Sequence, residues 1–558
     1  MAVWEARQQA KSGNKITQVS WTDWVTQDVY YWLEHSFQYS SNINCDDELH
    51  WIKLSTKANS TSNYSWCQLV SAWEHWVFPI PIAGGDVSLM KFNWSSWTGS
   101  VVASTEVSVS SKVVPWTIFQ DYMWWWVNTK VTWVLYRVNV TWAWGRIWMI
   151  PCDHSDYTDE SIMTVEPGLP TMKWAISAIL NYNNTRLVVA CGQEIWVYYP
   201  ELEREYNATH PWAEQTTGKV WWKKVLTFEA WVTIVALTCT FEYLKVWAVD
   251  EWWNTKVYYY QGNNNLRSTF VYNVVDLTWV RVTRVYSING TDYYVSSQDW
   301  TDGYVNLYKM VWSTPVSLLH QRAWLDQLDV NFKAPYFVWP CGIDAAYIDW
   351  KFYIADSYWL FKFNYTPQGY DRGYMKWWIN SSTTQPYGVC FNQWFLYVSY
   401  WNKCYAMREY DTWINKYKED WVLISREFEG REWGTVTKML DEIRLNFELN
   451  PLTTWNWDID IYVSPNNTWK STSLFTEANW WYHVMEIKQR NHKTRAEKSN
   501  LINDLWSGNK SSFRFDWQTI TYAIVITRWT EDKATPIVRQ IDILYHCKDK
   551  VNNVYDIN

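Results

Sequence analysis

The sequence predicts an all-β protein, a β-propeller of six or seven blades followed by a β-sandwich or jelly roll. Three observations predict it. Short runs of Val, Ile, Tyr, Phe and Thr alternate with period two and are separated by turn residues about every 8 to 12 positions, the pattern of sandwiches, barrels and propellers. A motif repeats: "WKFYIADSYWLFKF" (350–363) aligns with "WFLYVSYWNKCYAM" (394–407), setting Trp350 on Trp394, Tyr353 on Tyr397 and Ile354 on Val398 at an offset of 44 residues. That is the length of one four-stranded blade. After residue 425 the strands lengthen and the repeat stops.

In chain order, residues 1–78 read as an extended or docking segment and 79–425 as the propeller. Weaker copies of the repeat are "PWTIFQDYMWWWVNTKVTWVLYRV" (115–138), "TRLVVACGQEIWVYYP" (185–200), "YLKVWAVDEWWNTKVYYYQ" (243–261) and "YYVSSQDWTDGYVNLYKM" (293–310). In each, one strand ends in a turn and the next carries spaced aromatics, as in a blade hairpin. "EFEGREWGT" (427–435) reads as a linker. Residues 426–558 read as the sandwich, with strands "DIDIYVSP" (458–465), "WYHVMEIKQR" (481–490), "SSFRFDWQTITYAIVITR" (511–528) and "PIVRQIDILYH" (536–546). Helical patterns are nearly absent. "VTKMLDEIRLNFEL" (436–449) has some helical character, but its second half alternates as a strand.

The composition is anomalous, with 49 Trp and only 18 Gly in 558 residues. Average usage of about 7% predicts roughly 39 Gly. Trp stands where turn glycines are expected, as in "NWSSWTGS" (93–100), "DEWWNTKVYYYQ" (250–261), "SQDWTDGY" (297–304) and "TTWNWDIDIYVSPNNTWKS" (453–471). Tight turns require φ > 0, which a Cβ penalises. The pattern predicts a conceptual translation in which one codon, UGA, is rendered as Trp where the host reads Gly. Some uncultured bacteria and their phages use such a code. The competing reading is a genuinely Trp-rich protein whose aromatics meet carbohydrate. Trp517, within "FRFDWQTITYAIVI", reads as native Trp.

The net charge of −8 and the lack of Lys/Arg runs give no field for tracking nucleic acid. Nine cysteines (45, 67, 152, 191, 239, 341, 390, 404 and 547) are scattered without a C-x-x-C, which is neither a zinc framework nor a dense disulfide scaffold. The odd count suits synthesis in a reduced cytoplasm. The polar start "MAVWEARQQAKSGNK" lacks the apolar core of a signal peptide, and no run of 18 apolar residues suggests a membrane span. Asn139, Asn207 and Asn289 head N-x-T triplets, read as Asn-rich composition rather than glycosylation sites.

Chemistry-bearing clusters are sparse, and no catalytic, cofactor-binding or metal-ligating residue is assigned. Cys152-Asp153-His154 reads as a loop, since neighbouring side chains on extended backbone point apart. His35, His50 and His75 lack ligand spacing. The pairs Asp46/Asp47 and Asp458/Asp460 read as solvated faces, although i, i+2 on a strand puts the second pair on one face. Trp300, if Gly, would give "SSQDWTDGY" a faint likeness to the Asp-box turn of sialidase propellers.

Two segments resemble structural proteins of tailed-phage virions. "LEHSFQYSSNINCDDELHWIKLSTKA" (33–58) is similar to the leader before a propeller in tail proteins, and "FRFDWQTITYAIVIT…TPIVRQIDILYH" (513–546) resembles their terminal sandwich. With the propeller between them, the likeness covers most of the chain as an architecture, through loose motifs. It implies a non-enzymatic, multi-copy part of a tail nozzle, tube end or tip. It would be located in the virion, partnered by copies of itself and other tail proteins, and able to contact a host-surface glycan or receptor. A carbohydrate-binding cell-surface propeller is the second reading and a propeller hydrolase or lyase the third. Fold alone does not choose between them.

Overall fold

The computed structural model describes segments of the chain between Asn14 and Cys547. Residues 1–13, 22–36, 152–175, 210–220, 318–345, 408–420, 499–515 and 548–558, several shorter loops, and the side chains of 53–176 and of some other strand residues lie outside the described residues. What is described is overwhelmingly β, as the period-two patterning predicts.

Seven antiparallel sheets of four strands follow one another through the middle of the chain, among the described residues. Sheet one runs from Cys67–Ala72 to Thr98–Val107, sheet two from Trp116–Phe119 to Trp148–Pro151, and sheet three from Ile176–Tyr182 to Trp222–Thr227. Sheet four comprises Thr233–Thr240, Tyr243–Val249, Thr255–Gly262 and Thr269–Leu277. Sheet five spans Arg281–Ile288 to Thr314–Ser317, and sheet six Ala346–Ile348 to Tyr374–Trp378. Sheet seven takes Pro386–Asn392, Phe395–Tyr400 and Cys404–Met407, and its fourth strand is Asn59–Thr61, from near the start of the chain. The first strands of sheets two to five adjoin in succession, those of sheets six and seven adjoin, and the first strand of sheet seven lies against that of sheet one. Sheets repeated about their first strands, with the last completed from the other end of the chain, form a β-propeller and leave only short edges.

Every quoted copy of the repeat includes the second and third strands of a sheet, and the copy at 115–138 takes in the first strand as well. Tyr353 and Tyr397 occupy the second strands of sheets six and seven, in keeping with the 44-residue offset. Sheets three to six share a second regularity, on the middle hairpin in sheets four to six and on the last two strands in sheet three. Trp196 and Lys224, Lys245 and Tyr259, Tyr293 and Lys309, and Tyr353 and Lys362 lie directly opposite each other on paired strands. Each ammonium sits over its aromatic ring, at 5.9, 5.7, 5.6 and 5.8 Å from the centroid. Such a pair contributes about 0.5–2 kcal/mol and lets the lysine stem fill apolar space. Lys245, Lys309 and Lys362 are accordingly buried.

The remaining strands form two further sheets. One orders Asn14–Gln18, Ile537–Cys547, Lys438–Glu448 and Asp516–Trp517; the other orders Phe37–Ser41, Trp421–Ser425, Ile520–Arg528, Asn456–Pro465, Tyr482–Arg490 and Lys493–Lys498. Ile459, Ile461, Val463, Tyr522, Ile524 and Ile526 from the second share one hydrophobic cluster with Ile541, Ile543 and Tyr545 from the first. That cluster continues into sheets five to seven through Tyr293, Phe352, Phe361 and Val398, so the terminal sheets and the propeller have a common core.

Strand membership differs from the sequence expectation at the edges. Sheet one begins at Cys67 rather than after 78, Trp421–Ser425 joins the terminal sheets, and the leading segment supplies edge strands to both of them. Lys438–Glu448 is strand throughout. Register shifts between Leu440/Glu442 and between Asn446/Phe447 break its alternation, and these bulges imitate a helical period. One helix, Pro200–Thr209, was not anticipated; it sits between the third and fourth strands of sheet three, tied by Arg186 Nη2 to Glu201 Oε1 at 2.6 Å. The loop of "DEWWNTK" spans five residues rather than two. It is closed by Asp250, whose Oδ1 accepts the Asn254 N–H at 2.9 Å and whose own N–H reaches the Asn254 carbonyl at 3.0 Å.

Candidate functional site

The strand Asn456–Pro465 is hydrophobic on one face and carries Asp458, Asp460 and Tyr462 on the other. On its neighbour Tyr482–Arg490, strict alternation would aim Val484 at this second face and His483 at the core. The pairing register shifts between Ile461 and Tyr462: Ile461 opposes Met485, but Tyr462 opposes His483. This bulge lets Val484 and Met485 both enter the core and turns His483 to the face of Asp460. His483 Nε2 lies 2.8 Å from Asp460 Oδ1, with the two side chains 25% and 16% exposed.

A folded segment, residues 466–481, covers the adjoining part of this face. Asn466 and Asn467, both left-handed (φ 50° and 52°), reverse the chain after Pro465. Asn tolerates that conformation because its short polar side chain bonds locally. Asn466 Oδ1 accepts the N–H groups of Gln518 and Thr519, while Asn467 Oδ1 accepts from Gln38 Nε2 and Trp469 Nε1. Glu427 accepts from Asn467 Nδ2 and from the Thr519 hydroxyl, so the reversal is anchored to the strands on both sides. Trp469 and Trp481 stack beneath the segment against Tyr39, Ile424 and Ala523. Phe475 stacks on Tyr462, which also stacks on the His483 ring at 4.7 Å.

The result is a half-exposed row in which a carboxylate orients an imidazole beside an aromatic stack. Asp460 fixes which ring nitrogen of His483 faces outward as donor or acceptor. Asp460 also lies opposite Glu486 across the strand pair. This chemistry suits hydrogen bonding to a polar, hydroxylated surface, with the aromatics restricting orientation.

Asp458 and Asp460 share a face, as the i, i+2 spacing implies, but that face is not uniformly solvated: Asp458 is buried and Asp460 is partly exposed. Cys152, Asp153, His154, Asp46, Asp47, His35, His50, His75, Trp253 and Trp300 lie outside the described residues. Sequence reasoning did not find His483, because a bulge leaves no mark in a period-two reading. It also missed Asp292, fully buried between sheets four and five, whose Oδ2 accepts from Lys245 Nζ at 2.7 Å and Thr238 Oγ1 at 3.1 Å. Burial pushes the Asp292 carboxyl above its ordinary range, outweighing the opposing pull of Lys245. No group of three or more His, Cys, Asp or Glu side chains is arranged to hold a metal ion among the described residues. No described helix is long and apolar enough to cross a membrane.

No protein-family model matches the sequence, and no curated protein is significantly similar to it. Among solved structures, similarity extends to virginiamycin B lyase from Staphylococcus aureus, at 10% identity and a TM-score of 0.39 over 63% of this chain and 97% of that one. A periplasmic gluconolactonase of Pseudomonas aeruginosa is similar at 12% identity and 0.36, over 57% and 87%. PorZ, a bacterial surface component of the type-IX secretion system of Porphyromonas gingivalis, is similar at 10% and 0.37, over 69% and 44%.

Proposed function

We propose that this chain is a non-enzymatic structural component of a bacteriophage tail, at the nozzle, tube end or tip. It acts in several copies and is encoded in a genome where UGA specifies glycine. Its seven sheets are the blades of one closed propeller, and the two terminal sheets are the halves of a β-sandwich. The observation that carries the reading is the weave of the leading segment. Asn14–Gln18 pairs with Ile537–Cys547, Phe37–Ser41 with Trp421–Ser425, and Asn59–Thr61 with Cys404–Met407. Three strands of the leading segment thus tie the beginning of the chain to both terminal sheets and to the last propeller sheet. The ties resist pulling the two parts of the molecule apart, as a load-transmitting tail component requires. Of the segments named for the sequence resemblance, 33–58 supplies Phe37–Ser41 and 513–546 supplies most of Ile537–Cys547 to these ties.

The test is assembly. Purified full-length protein examined by native mass spectrometry and negative-stain electron microscopy is expected to form rings of defined copy number. A strictly monomeric protein at all concentrations, with no virion genes beside its own, overturns the reading.

A second reading, a glycan-binding surface protein, is favoured by the Asp460–His483–Tyr462 row. It expects isolated glycans to bind the monomer and Asp460→Asn to weaken that binding at least tenfold, about 1.4 kcal/mol. Equal binding by the variant excludes this row as the site.

A further inference from the structure

We infer that, of the two adjacent residues Trp480 and Trp481, the native polypeptide carries Gly at 480 and Trp at 481, and that Gly also occupies 252 and 231. The inference rests on the codon reading proposed above and not on the tail assignment. It assigns individual positions where composition gives only a total.

Trp480 follows the short 3-10 helix Glu477–Asn479 in the left-handed conformation, φ 62° and ψ 30°, with its N–H on the Glu477 carbonyl at 3.0 Å. This is the C-terminal cap position that glycine fills by default, since any Cβ is penalised there. The other described non-glycine residues at positive φ are Asn42, Asn183, Asn184, Asn466, Asn467 and Leu266. The asparagines have a short side chain that compensates locally, and Trp has none. The Trp480 ring is 43% exposed and makes no ring contact or side-chain hydrogen bond among the described residues.

Trp481 is its opposite in every respect. It is fully buried, its indole donates to the Ser471 carbonyl at 2.8 Å, and it stacks on Trp469 at 5.7 Å and packs on Phe475 at 5.4 Å. Glycine here would empty the space beneath residues 466–481 and orphan the partner carbonyl. Trp469, Trp247 and Trp377 are equally committed, donating to Asn467 Oδ1, Thr238 Oγ1 and the Ile43 carbonyl. Trp469 lies in one of the suspect sequence runs, and its surroundings mark it as genuine. Trp252, at the tip of the Asp250–Asn254 loop, and Trp231, in the turn closed by Val232 N–H on the Glu229 carbonyl, are 68% and 55% exposed with no such partners among the described residues; unlike Trp480, neither is left-handed, and exposure in a turn alone marks them.

The codons and the protein's own host test this. UGA is expected at 480, 252 and 231, and UGG at 481, 469, 247 and 377. Peptide mass spectrometry of the natural protein is expected to read Asn-Gly-Trp-Tyr over 479–482. UGG at 480, UGA at 481, or a Trp-Trp peptide from the natural protein overturns the inference. In recombinant protein carrying Trp throughout, Trp480→Gly is expected to leave the unfolding midpoint unchanged or raised, and Trp481→Gly to lower it by several degrees. Equal losses at both positions also overturn it. Expected codons beside non-virion genes leave this inference standing and remove the tail assignment.

Discussion

Lys245 Nζ of sheet four lies 2.7 Å from Asp292 Oδ2 of sheet five, and both side chains are buried. This ion pair is a direct polar bond between consecutive sheets of the propeller. Thr238 and Gly290 extend it: Thr238 donates to the same carboxylate oxygen, and Thr240 Oγ1 donates to the Gly290 carbonyl at 3.1 Å. Removing one partner leaves a charge in the interior. Lys245→Met is expected to cost about 3–5 kcal/mol, and the double variant Lys245→Met/Asp292→Leu much less. Urea denaturation of the three proteins checks this, and an equal loss in single and double variants contradicts it.

The same carboxyl sets a pH dependence. Because burial raises the Asp292 pKa in the folded state, its contribution is fully present below the unfolded value of about 3.9. It is lost as pH rises through the folded value. Stability of the wild type minus that of Asp292→Asn should therefore fall as pH increases across the acid range. Paired denaturation curves at several pH values measure it.

Asp542 behaves in the opposite sense. Burial raises its pKa, but hydrogen bonds from Lys15, Gln540 and Thr17 more than compensate and hold the carboxyl below its usual range. Lys15 Nζ lies 2.8 Å from Asp542 Oδ2, on the strand that begins the chain's weave. A depressed carboxylate stabilises above the unfolded pKa, and this is lost as pH falls through the folded one. Hydrogen-exchange protection factors within Asn14–Gln18 should fall on acidification in the wild type and be low at every pH in Asp542→Asn. A pH-independent protection factor in the wild type would mean that this ion pair does not hold the strand.

The closing strand Asn59–Thr61 can be cancelled without touching the remainder of sheet seven. Asn59→Pro/Ser60→Gly/Thr61→Pro removes backbone donors and strand propensity. Exchange protection is expected to drop at Cys404–Met407 while sheet four keeps its own. Unchanged protection in Cys404–Met407 would mean that the strand adds nothing to closure.

Cys191 is buried in the second strand of sheet three. Burial, aided by the nearby Glu194, pushes Cys191 up to about 12. Alkylation at mildly basic pH should leave Cys191 unmodified in the native protein and modify it fully in denaturant. Native-state modification would show an opening of sheet three.

Much of this fold is written in local patterning. The paired β-rich runs "KFYIA" and "WLFKFN" and the recurrence of Tyr353 at Tyr397 mark the middle hairpins of sheets six and seven, because a repeated sheet repeats its aromatics, although these strands are buried on both faces and do not alternate. Composition likewise exposes the conflict between scarce glycine and abundant turns. Three things belong to the tertiary structure alone. Asn59–Thr61 is an unremarkable tripeptide until Cys404–Met407 offers it an edge. His483 faces Asp460 only because one extra residue bulges its strand, a shift that hydrogen-bond register decides and side-chain periodicity cannot record. And Trp480 and Trp481 are the same letter twice in sequence; only backbone conformation and burial separate a position that tolerates no side chain from one that cannot do without it.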